Sequence, residues 1–285
     1  MQQEIIDLFD RYTHERMPRE KFIKRLTKLT GSALAATSVL SLLETNYAHA
    51  TTVPESTGDL NTGYIEYEGA SGRVKAYMAS PITENIKPAV MVIHENRGLN
   101  PHIEDVTRRV AKAGYYAIAP DALSPLGGTP EDRNKARDMI RTLDGKKTLA
   151  DFLTGLVFLK DLPQTTEKVG CVGFCWGGGM ANKLAVNSAN LNAAVAFYGR
   201  QAAIVDVPKI RAALLLHYAG LDTRINEGIS LYEEALISNK ADYQLYIYEN
   251  VNHAFHNNTS QARYNQAAAT LAWQRTLDFF NKKLN

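Results

Sequence analysis

An apolar run that ends at a cysteine framed by glycines constrains this chain more than any other feature. Residues 169–179 have the sequence Val-Gly-Cys-Val-Gly-Phe-Cys-Trp-Gly-Gly-Gly. The apolar run predicts a buried strand, and a helix-compatible segment follows the glycines. Glycines two positions before and after Cys175 permit a sharp strand-to-helix turn that projects the central side chain clear of the sheet.

Such a turn would place Cys175 at the N-terminus of a helix. Unpaired backbone N–H groups and the helix dipole stabilise negative charge there, which favours a thiolate and the oxyanion that its attack creates. The alternative is a small residue packed where a helix crosses a sheet, because free cysteine is often buried. A nucleophilic role therefore requires a base, an acid and an oxyanion donor elsewhere in the chain.

From residue 61 onward, short apolar runs alternate with helical segments. Such runs are typical of parallel strands covered on both faces. Residues 64–67 and 74–79 instead alternate like a half-exposed antiparallel pair with a turn at 69–72. The pattern predicts an α/β fold with an open, mostly parallel sheet and helices on both faces. The predicted parallel strands are 89–94, 116–119, 168–174, 193–198, 212–218 and 243–248, and the predicted helices are 100–114, one starting at Pro130, 148–160, 177–187, 226–239 and 260–283.

The first fifty residues differ from the rest. Residues 1–29 have apolar positions at helical spacing and predict an amphipathic helical arm, and 31–43 form an uncharged, mildly apolar run. Arg19-Glu20-Lys21-Phe22 resembles a twin-arginine export signal with glutamate at the second arginine, and Ala48-His49-Ala50 resembles a signal peptidase site. The segment is either a degenerate export signal or an uncleaved arm that packs on the domain or on another subunit, as in a homo-oligomer.

This difference divides the chain into an arm at 1–50, a linker at 51–60 and one domain at 61–285. Both a cytoplasmic and a periplasmic location are compatible with this N-terminal segment. Net charge is +2 with acids and bases interspersed, so no basic stripe for nucleic acid is expected. No membrane span is expected, because no segment has the required run of roughly 18 uncharged apolar residues. The two cysteines lie on one short segment, so no disulfide framework is expected.

Polar residues that follow later strands supply the missing catalytic groups. Asp222 follows the strand predicted at 212–218, and His253 follows the strand at 243–248. The order nucleophile, acid, histidine is associated with α/β-hydrolases, in which the histidine is the base and the acid orients it. Asp222 could instead be a turn or capping residue, His253 could be a surface-loop residue, and His256 is a rival base.

The loop after the strand at 89–94 would lie beside the cysteine. In this fold one oxyanion donor is a backbone N–H from this loop and the other follows the nucleophile, which predicts Asn96 and Trp176. His94 and Glu95 match half of a zinc-binding His-Glu-x-x-His, but Gly98 occupies the second histidine position, so no metal site is expected. Glu95 could also be an ion-pair partner of a nearby arginine, Arg97 or Arg108.

The Gly-Phe-Cys-Trp-Gly-Gly segment, with Glu95, Asp222 and His253, resembles the dienelactone hydrolase (carboxymethylenebutenolidase) family of α/β-hydrolases over about residues 60–284. The resemblance implies a triad of Cys175, Asp222 and His253. It also implies that Glu95 contacts the resting thiol and helps its deprotonation. The family hydrolyses an enol-lactone that carries a carboxylate, and it uses neither a metal nor an organic cofactor.

One departure from the family concerns recognition of that carboxylate. The resemblance implies two arginines that bind this carboxylate, and the matching positions here hold Pro125 and Asn257. Arg97, Arg200 and Arg224 follow predicted strands and are candidates for substrate binding, with a surface role as the alternative. We therefore expect a hydrolase of a small-molecule ester or lactone that acts through an acyl-enzyme. The alternatives are a thioesterase or small peptidase with the same residues, a non-catalytic ligand-binding protein, and a redox-sensing thiol.

Overall fold

One mixed sheet of eight strands forms the centre of the molecule. The structure is a computed structural model that describes residues 1–47 and 50–285. The strand order is β1-β2-β4-β3-β5-β6-β7-β8; β2 is antiparallel to both neighbours, and the other pairs are parallel. The strands are β1 (Leu60–Gly69), β2 (Gly72–Pro81), β3 (Lys87–Ile93), β4 (Tyr116–Pro120), β5 (Thr165–Phe174), β6 (Ala193–Phe197), β7 (Ala213–Ala219) and β8 (Tyr243–Tyr248).

Helices cover both faces of this sheet, so alternate residues of each central strand enter different cores. Met91 and Ile93 of β3 pack in one apolar cluster, and Val90 and Val92 pack in the other. Two covered faces explain the unbroken apolar runs, and the predicted fold class is confirmed. The domain helices are α4 (Pro101–Lys112), α5 (Arg133–Ile140), α6 (Gly145–Asp161), α7 (Trp176–Asn187), α8 (Thr223–Asn226), α9 (Ile229–Ser238) and α10 (Gln266–Leu284).

Several predicted helix boundaries are wrong, and capping explains two of them. The predicted start at Pro130 is replaced by a start at Arg133, because the Asp132 side chain accepts hydrogen bonds from the first N–H groups of α5. Asn265 caps α10 in the same way, so this helix begins later than predicted. The predicted helix at 226–239 corresponds to α9, and the short helix α8 before it was not predicted.

The N-terminal arm contains three further helices: α1 (Gln3–His14), α2 (Arg19–Thr30) and α3 (Ala33–Leu43). They enclose their own apolar cluster, in which the rings of Tyr12 and Phe22 stack with centroids 4.3 Å apart. In the described residues, no single helix is long and apolar enough to span a membrane; α2 and α3 meet that criterion only as a pair, which is bent by 110°. The predicted cleavage site includes Ala48 and His49, which lie outside the described residues.

The arm packs on its own domain. Arg263 forms an ion pair with Asp10 of α1 at 3.0 Å, and Arg141 donates hydrogen bonds to the carbonyl oxygens of Thr13 and Glu15. The C-terminal end of α1 is therefore attached to the domain at the carboxyl ends of the central strands.

We expect substitutions of two glycines in α7 to differ sharply in their effect on stability. A Cβ at Gly177 would lie 2.4 Å from the Ile93 carbonyl oxygen, whereas a Cβ at Gly179 would have its nearest neighbour at 3.6 Å. Gly177→Ala should lower the free energy of unfolding by about 1–3 kcal/mol or prevent folding, because backbone atoms cannot move aside. Gly179→Ala should be neutral or stabilising, since alanine favours helices. Chemical denaturation measures both, and equal effects would contradict the close backbone contact at Gly177.

Candidate active site

Cys175 lies at the turn between β5 and α7, in a backbone conformation that residues other than glycine rarely adopt. Its φ is 56° and its ψ is −112°. Gly173 and Gly177 make the turn possible, because a Cβ at Gly173 would lie 2.0 Å from the Gly177 carbonyl oxygen. The Cys175 N–H donates to the Phe197 carbonyl oxygen at 3.0 Å, which ties the turn to β6. The thiol is thereby presented at the N-terminus of α7.

Asp222 and His253 come from the ends of the next strands, and the structure brings them together. His253 Nδ1 donates a hydrogen bond to Asp222 Oδ2 at 2.5 Å. The other ring nitrogen, Nε2, is buried and has no hydrogen-bond partner among the described residues. A ring nitrogen of His253 lies within 4.8 Å of the Cys175 sulfur. The three predicted triad residues therefore form one contiguous group.

Electrostatic interactions within this group shift the pKa values of His253 and Asp222. Burial by itself lowers the pKa of His253, but Asp222 and Cys175 outweigh burial and raise it to about 10. Burial would raise the pKa of Asp222, but His253 holds it below its usual value of 3.8. Protonated His253 stabilises the fold fully below about pH 6.5, and this contribution is lost as pH rises through about 10. The contribution of Asp222 is present above pH 3.8 and is lost as pH falls through the lowered pKa.

His256, the rival base, lies elsewhere. Its ring stacks on Phe174 with centroids 5.1 Å apart, in the core behind the cysteine turn. Burial, with the nearby Arg109 charge, lowers its pKa well below the usual value. His256 does not line the cavity at Cys175, so the geometry favours His253.

Glu95 lies in a buried polar network beside the thiol. Its Oε1 accepts from the Tyr198 hydroxyl at 3.4 Å, and its Oε2 accepts from Asn257 Nδ2 at 2.7 Å. Neither of the alternative ion pairs, with Arg97 or Arg108, is present within residues 1–47 and 50–285. Asn257 thus holds Glu95 in place. Glu95 and Cys175 line the same small cavity, but no hydrogen bond joins them there.

The loop after β3 forms another part of the site. Asn96 and Trp176 both line the cavity at Cys175, and Trp176 is the first residue of α7, where backbone N–H groups lack helical partners. Both ring nitrogens of His94 are engaged: Nδ1 donates to the Glu95 carbonyl oxygen, and Nε2 accepts from the Ala122 N–H. His94 also stacks on the Trp176 ring. It therefore fixes the loop instead of facing the cavity.

A cavity of about 330 Å³ opens beside the thiol, and its lining is basic. Arg200 and Arg224 line it as predicted, whereas Arg97 lines only the smaller cavity with Glu95. Among the described residues, no acidic side chain lines the larger cavity. Lys183, Arg200 and Arg224, which line it, form no ion pair with the described residues. The full basic lining is Arg137, Arg141, Lys183, Arg200 and Arg224.

The arm contributes a residue that sequence analysis missed. His14, the last residue of α1, has its Nε2 3.3 Å from the Cys175 sulfur, and Asn96 Nδ2 donates to the adjacent Thr13 carbonyl oxygen at 3.2 Å. Burial and the nearby charge of His253 lower the pKa of His14 well below its usual value. No local signal marks His14, because 161 positions separate it from Cys175.

A cysteine on a strand-to-helix turn, followed in chain order by a carboxylate and a histidine at later strand ends, defines an α/β-hydrolase. The profile of the dienelactone hydrolase family matches residues 74–284, and the chain belongs to this family. The protein is a hydrolase that acts on esters or lactones.

Individual relatives agree with this assignment. The chain is 33% identical over 254 residues to a Saccharolobus solfataricus protein provisionally named carboxymethylenebutenolidase, covering 76% of this chain and 97% of that protein. A crystal structure from Klebsiella pneumoniae, provisionally named dienelactone hydrolase, is 25% identical with a TM-score of 0.71 and covers 78% of this chain and 99% of its own. The dienelactone hydrolase-like promiscuous phosphotriesterase P91, from metagenomic libraries, has the same fold at 21% identity and a TM-score of 0.72, covering 80% of this chain and 100% of its own.

We expect iodoacetamide to modify Cys175 selectively. Cys171 is fully buried in β5 and burial raises its pKa, so it should not react. Asp222→Asn removes the charge that keeps His253 protonated and should slow the modification of Cys175 at neutral pH by at least about tenfold. Mass spectrometry of peptides after timed quenching gives the rates. The surface substitution Asp206→Asn is the control. An alkylation rate in Asp222→Asn equal to that of the wild type would contradict the dependence of Cys175 reactivity on the Asp222–His253 pair.

Proposed function

We propose that the protein hydrolyses a small ester or lactone through a Cys175–His253–Asp222 triad and a covalent acyl-enzyme. The observation that carries the proposal is the hydrogen bond from His253 Nδ1 to Asp222, which leaves Nε2 as the ring nitrogen directed at Cys175. A histidine held in this tautomer can accept the thiol proton. The nucleophile, base and acid then have the arrangement that acyl transfer requires.

The proposed reaction proceeds in two halves. Cys175 transfers its proton to His253, and the thiolate attacks the substrate carbonyl carbon to form a tetrahedral oxyanion. Collapse of this species breaks the carbon–oxygen bond, and His253 returns the proton to the leaving oxygen. Water then attacks the thioester with His253 as base, which releases the acid and restores the thiol.

The backbone N–H groups of Asn96 and Trp176 are the proposed oxyanion donors. Both residues line the cavity at Cys175, and the N-terminus of α7 adds its dipole at the same place. Asn257 and Tyr198 hold the nearby Glu95. We propose that Glu95 assists thiol deprotonation when the Cys175 side chain rotates toward it.

The basic cavity favours a substrate that carries an anionic group away from the scissile bond. Lys183, Arg200 and Arg224 supply unpaired positive charge on the lining. Arginine binds carboxylates through two parallel hydrogen bonds, so Arg200 and Arg224 can replace the family arginines that are absent at Pro125 and Asn257. These residues lie on different elements from the positions they replace, which predicts a different orientation of the substrate.

Hydrolysis of a panel of esters, lactones, thioesters and small peptides should depend on Cys175. We expect turnover of an ester or lactone, and Cys175→Ala should reduce kcat by at least about 1,000-fold because it removes the nucleophile of the proposed triad. Cys171→Ala is the matched control and should retain activity. His253→Ala should resemble Cys175→Ala, whereas His256→Ala should retain turnover if it folds. Unchanged hydrolysis in Cys175→Ala would refute the mechanism, and exclusive turnover of thioesters or peptides would reassign the substrate class.

Two esters that differ only in a remote carboxylate test the anionic preference. Arg200→Gln and Arg224→Gln should each raise KM for the carboxylated ester by about tenfold, because each removes a charge-assisted hydrogen bond. KM for the neutral ester should change little. Arg211→Gln is the control, since Arg211 lies outside the cavity lining. Equal changes in KM for the two esters would show that these arginines do not bind the substrate carboxylate.

A further inference from the structure

We propose that His14, Cys175 and His253 form a binding site for a thiophilic divalent metal ion such as Zn²⁺, and that the bound ion reversibly blocks the nucleophile. Metal binding itself does not depend on the function proposed above. The loss of turnover on binding does rest on that function. The site joins the N-terminal arm to the catalytic residues.

The three donor atoms already converge. The Cys175 sulfur and one nitrogen from each histidine lie within 4.8 Å of one another, and the distance from His14 Nε2 to the sulfur is 3.3 Å. Tetrahedral zinc with its usual bond lengths holds sulfur and nitrogen ligands about 3.5 Å apart. A small side-chain rotation of Cys175 or His253 would therefore complete three-coordinate binding.

The hydrogen bonds of His14 fix which ring nitrogen is free. Nδ1 lies 2.8 Å from the carbonyl oxygen of Asp10, and a carbonyl can only accept, so Nδ1 carries the proton. In the neutral ring Nε2 then holds the lone pair, and this is the atom that faces the sulfur. His14 is thus arranged as a metal ligand by a backbone contact within its own helix.

His253 has the same arrangement with a stronger partner. Its Nδ1 donates to Asp222, and its buried Nε2 has no hydrogen-bond partner among the described residues. Histidines that bind zinc commonly donate their other N–H to a carboxylate, which orients the ring and increases its basicity. The hydrogen bond that prepares His253 as a base therefore also prepares it as a ligand.

The donor set selects the kind of ion. One thiolate and two imidazoles suit zinc and similar borderline-soft ions, whereas calcium and magnesium prefer oxygen ligands. The fourth position faces the open cavity, where water can complete the tetrahedron. Binding at neutral pH releases to solvent the second ring proton of His253, together with the thiol proton if Cys175 still carries it, because a metal binds the neutral imidazole and the thiolate. The charges of the dication, the thiolate and Asp222 then sum to zero, which offsets repulsion by cavity arginines.

The site depends on the arm. His14 lies outside residues 74–284, the part that matches the family profile. The Asp10–Arg263 ion pair and the hydrogen bond from Arg141 to the Thr13 carbonyl oxygen hold the end of α1 in place. The proposed ligands are also distinct from His94 and Glu95, because both ring nitrogens of His94 are engaged elsewhere.

Metal titration of the full-length, metal-free protein tests the proposal. We expect one equivalent of Zn²⁺ to bind in calorimetry, and one equivalent of Co²⁺ to give a thiolate-to-metal charge-transfer band. His14→Ala should weaken binding by more than about 100-fold, since loss of an outer-sphere partner alone costs about 10- to 100-fold. Cys175→Ser should abolish the charge-transfer band. Arg11→Gln, on the exposed side of the same helix, is the matched control and should bind like the wild type.

Turnover of an ester gives a second readout. Zn²⁺ should inhibit the wild type with an inhibition constant that matches the dissociation constant from calorimetry, and a chelator should restore activity. His14→Ala should need a much higher zinc concentration for half-inhibition, with its rates expressed relative to its own zinc-free rate. Binding that is unchanged in His14→Ala, absence of equimolar binding, or activation by zinc would each overturn the proposal. A protein without ester turnover would fail the proposed function, yet its metal site would still be tested by calorimetry and the cobalt spectrum.

Discussion

The close contact between the start of α7 and the carboxyl ends of β3 and β6 is the constraint on which the site depends. A Cβ at Gly177 would lie 2.4 Å from the Ile93 carbonyl oxygen, and one at Gly178 would lie 2.7 Å from that of Phe197. Only backbone without side chains fits between these elements. This contact forces the sharp turn at Cys175 and brings the N-terminus of α7, the loop of Asn96 and the end of β6 together.

Polar partners then fix the groups around the thiol. Asp222 orients His253 and raises its pKa, whereas Tyr198 and Asn257 hold Glu95. Asn257 is thus a neutral anchor for Glu95. Positive charge lies instead on the lining of the cavity beside Cys175, where Arg200 and Arg224 are free of ion pairs among the described residues.

The arm changes the surroundings of Cys175. It places His14 Nε2 3.3 Å from the Cys175 sulfur, so two imidazole rings lie near the thiol. In an α/β-hydrolase triad the thiol has one imidazole as its proton acceptor. The second imidazole supplies the additional donor of the proposed metal site. The Asp10–Arg263 ion pair that docks α1 therefore also positions His14 beside Cys175.

Local patterns in the sequence were sufficient for the fold class and for placing Cys175, Asp222 and His253 at strand ends. This succeeds because apolar runs and the glycines at the cysteine turn reflect local backbone requirements, and parallel strands end at one edge of a sheet. Helix starts were less predictable, since capping by Asp132 and Asn265 competes with other polar residues nearby.

Only the tertiary structure decided what faces the thiol. Sequence spacing left His253 and His256 as rivals, and three-dimensional packing separates them by placing His256 in the core. The contact of His14 with Cys175 joins residues 161 positions apart through the docking of a separate helical cluster. Sequence periodicity determines which face of a helix is apolar, but the partner of that face depends on how the whole chain packs.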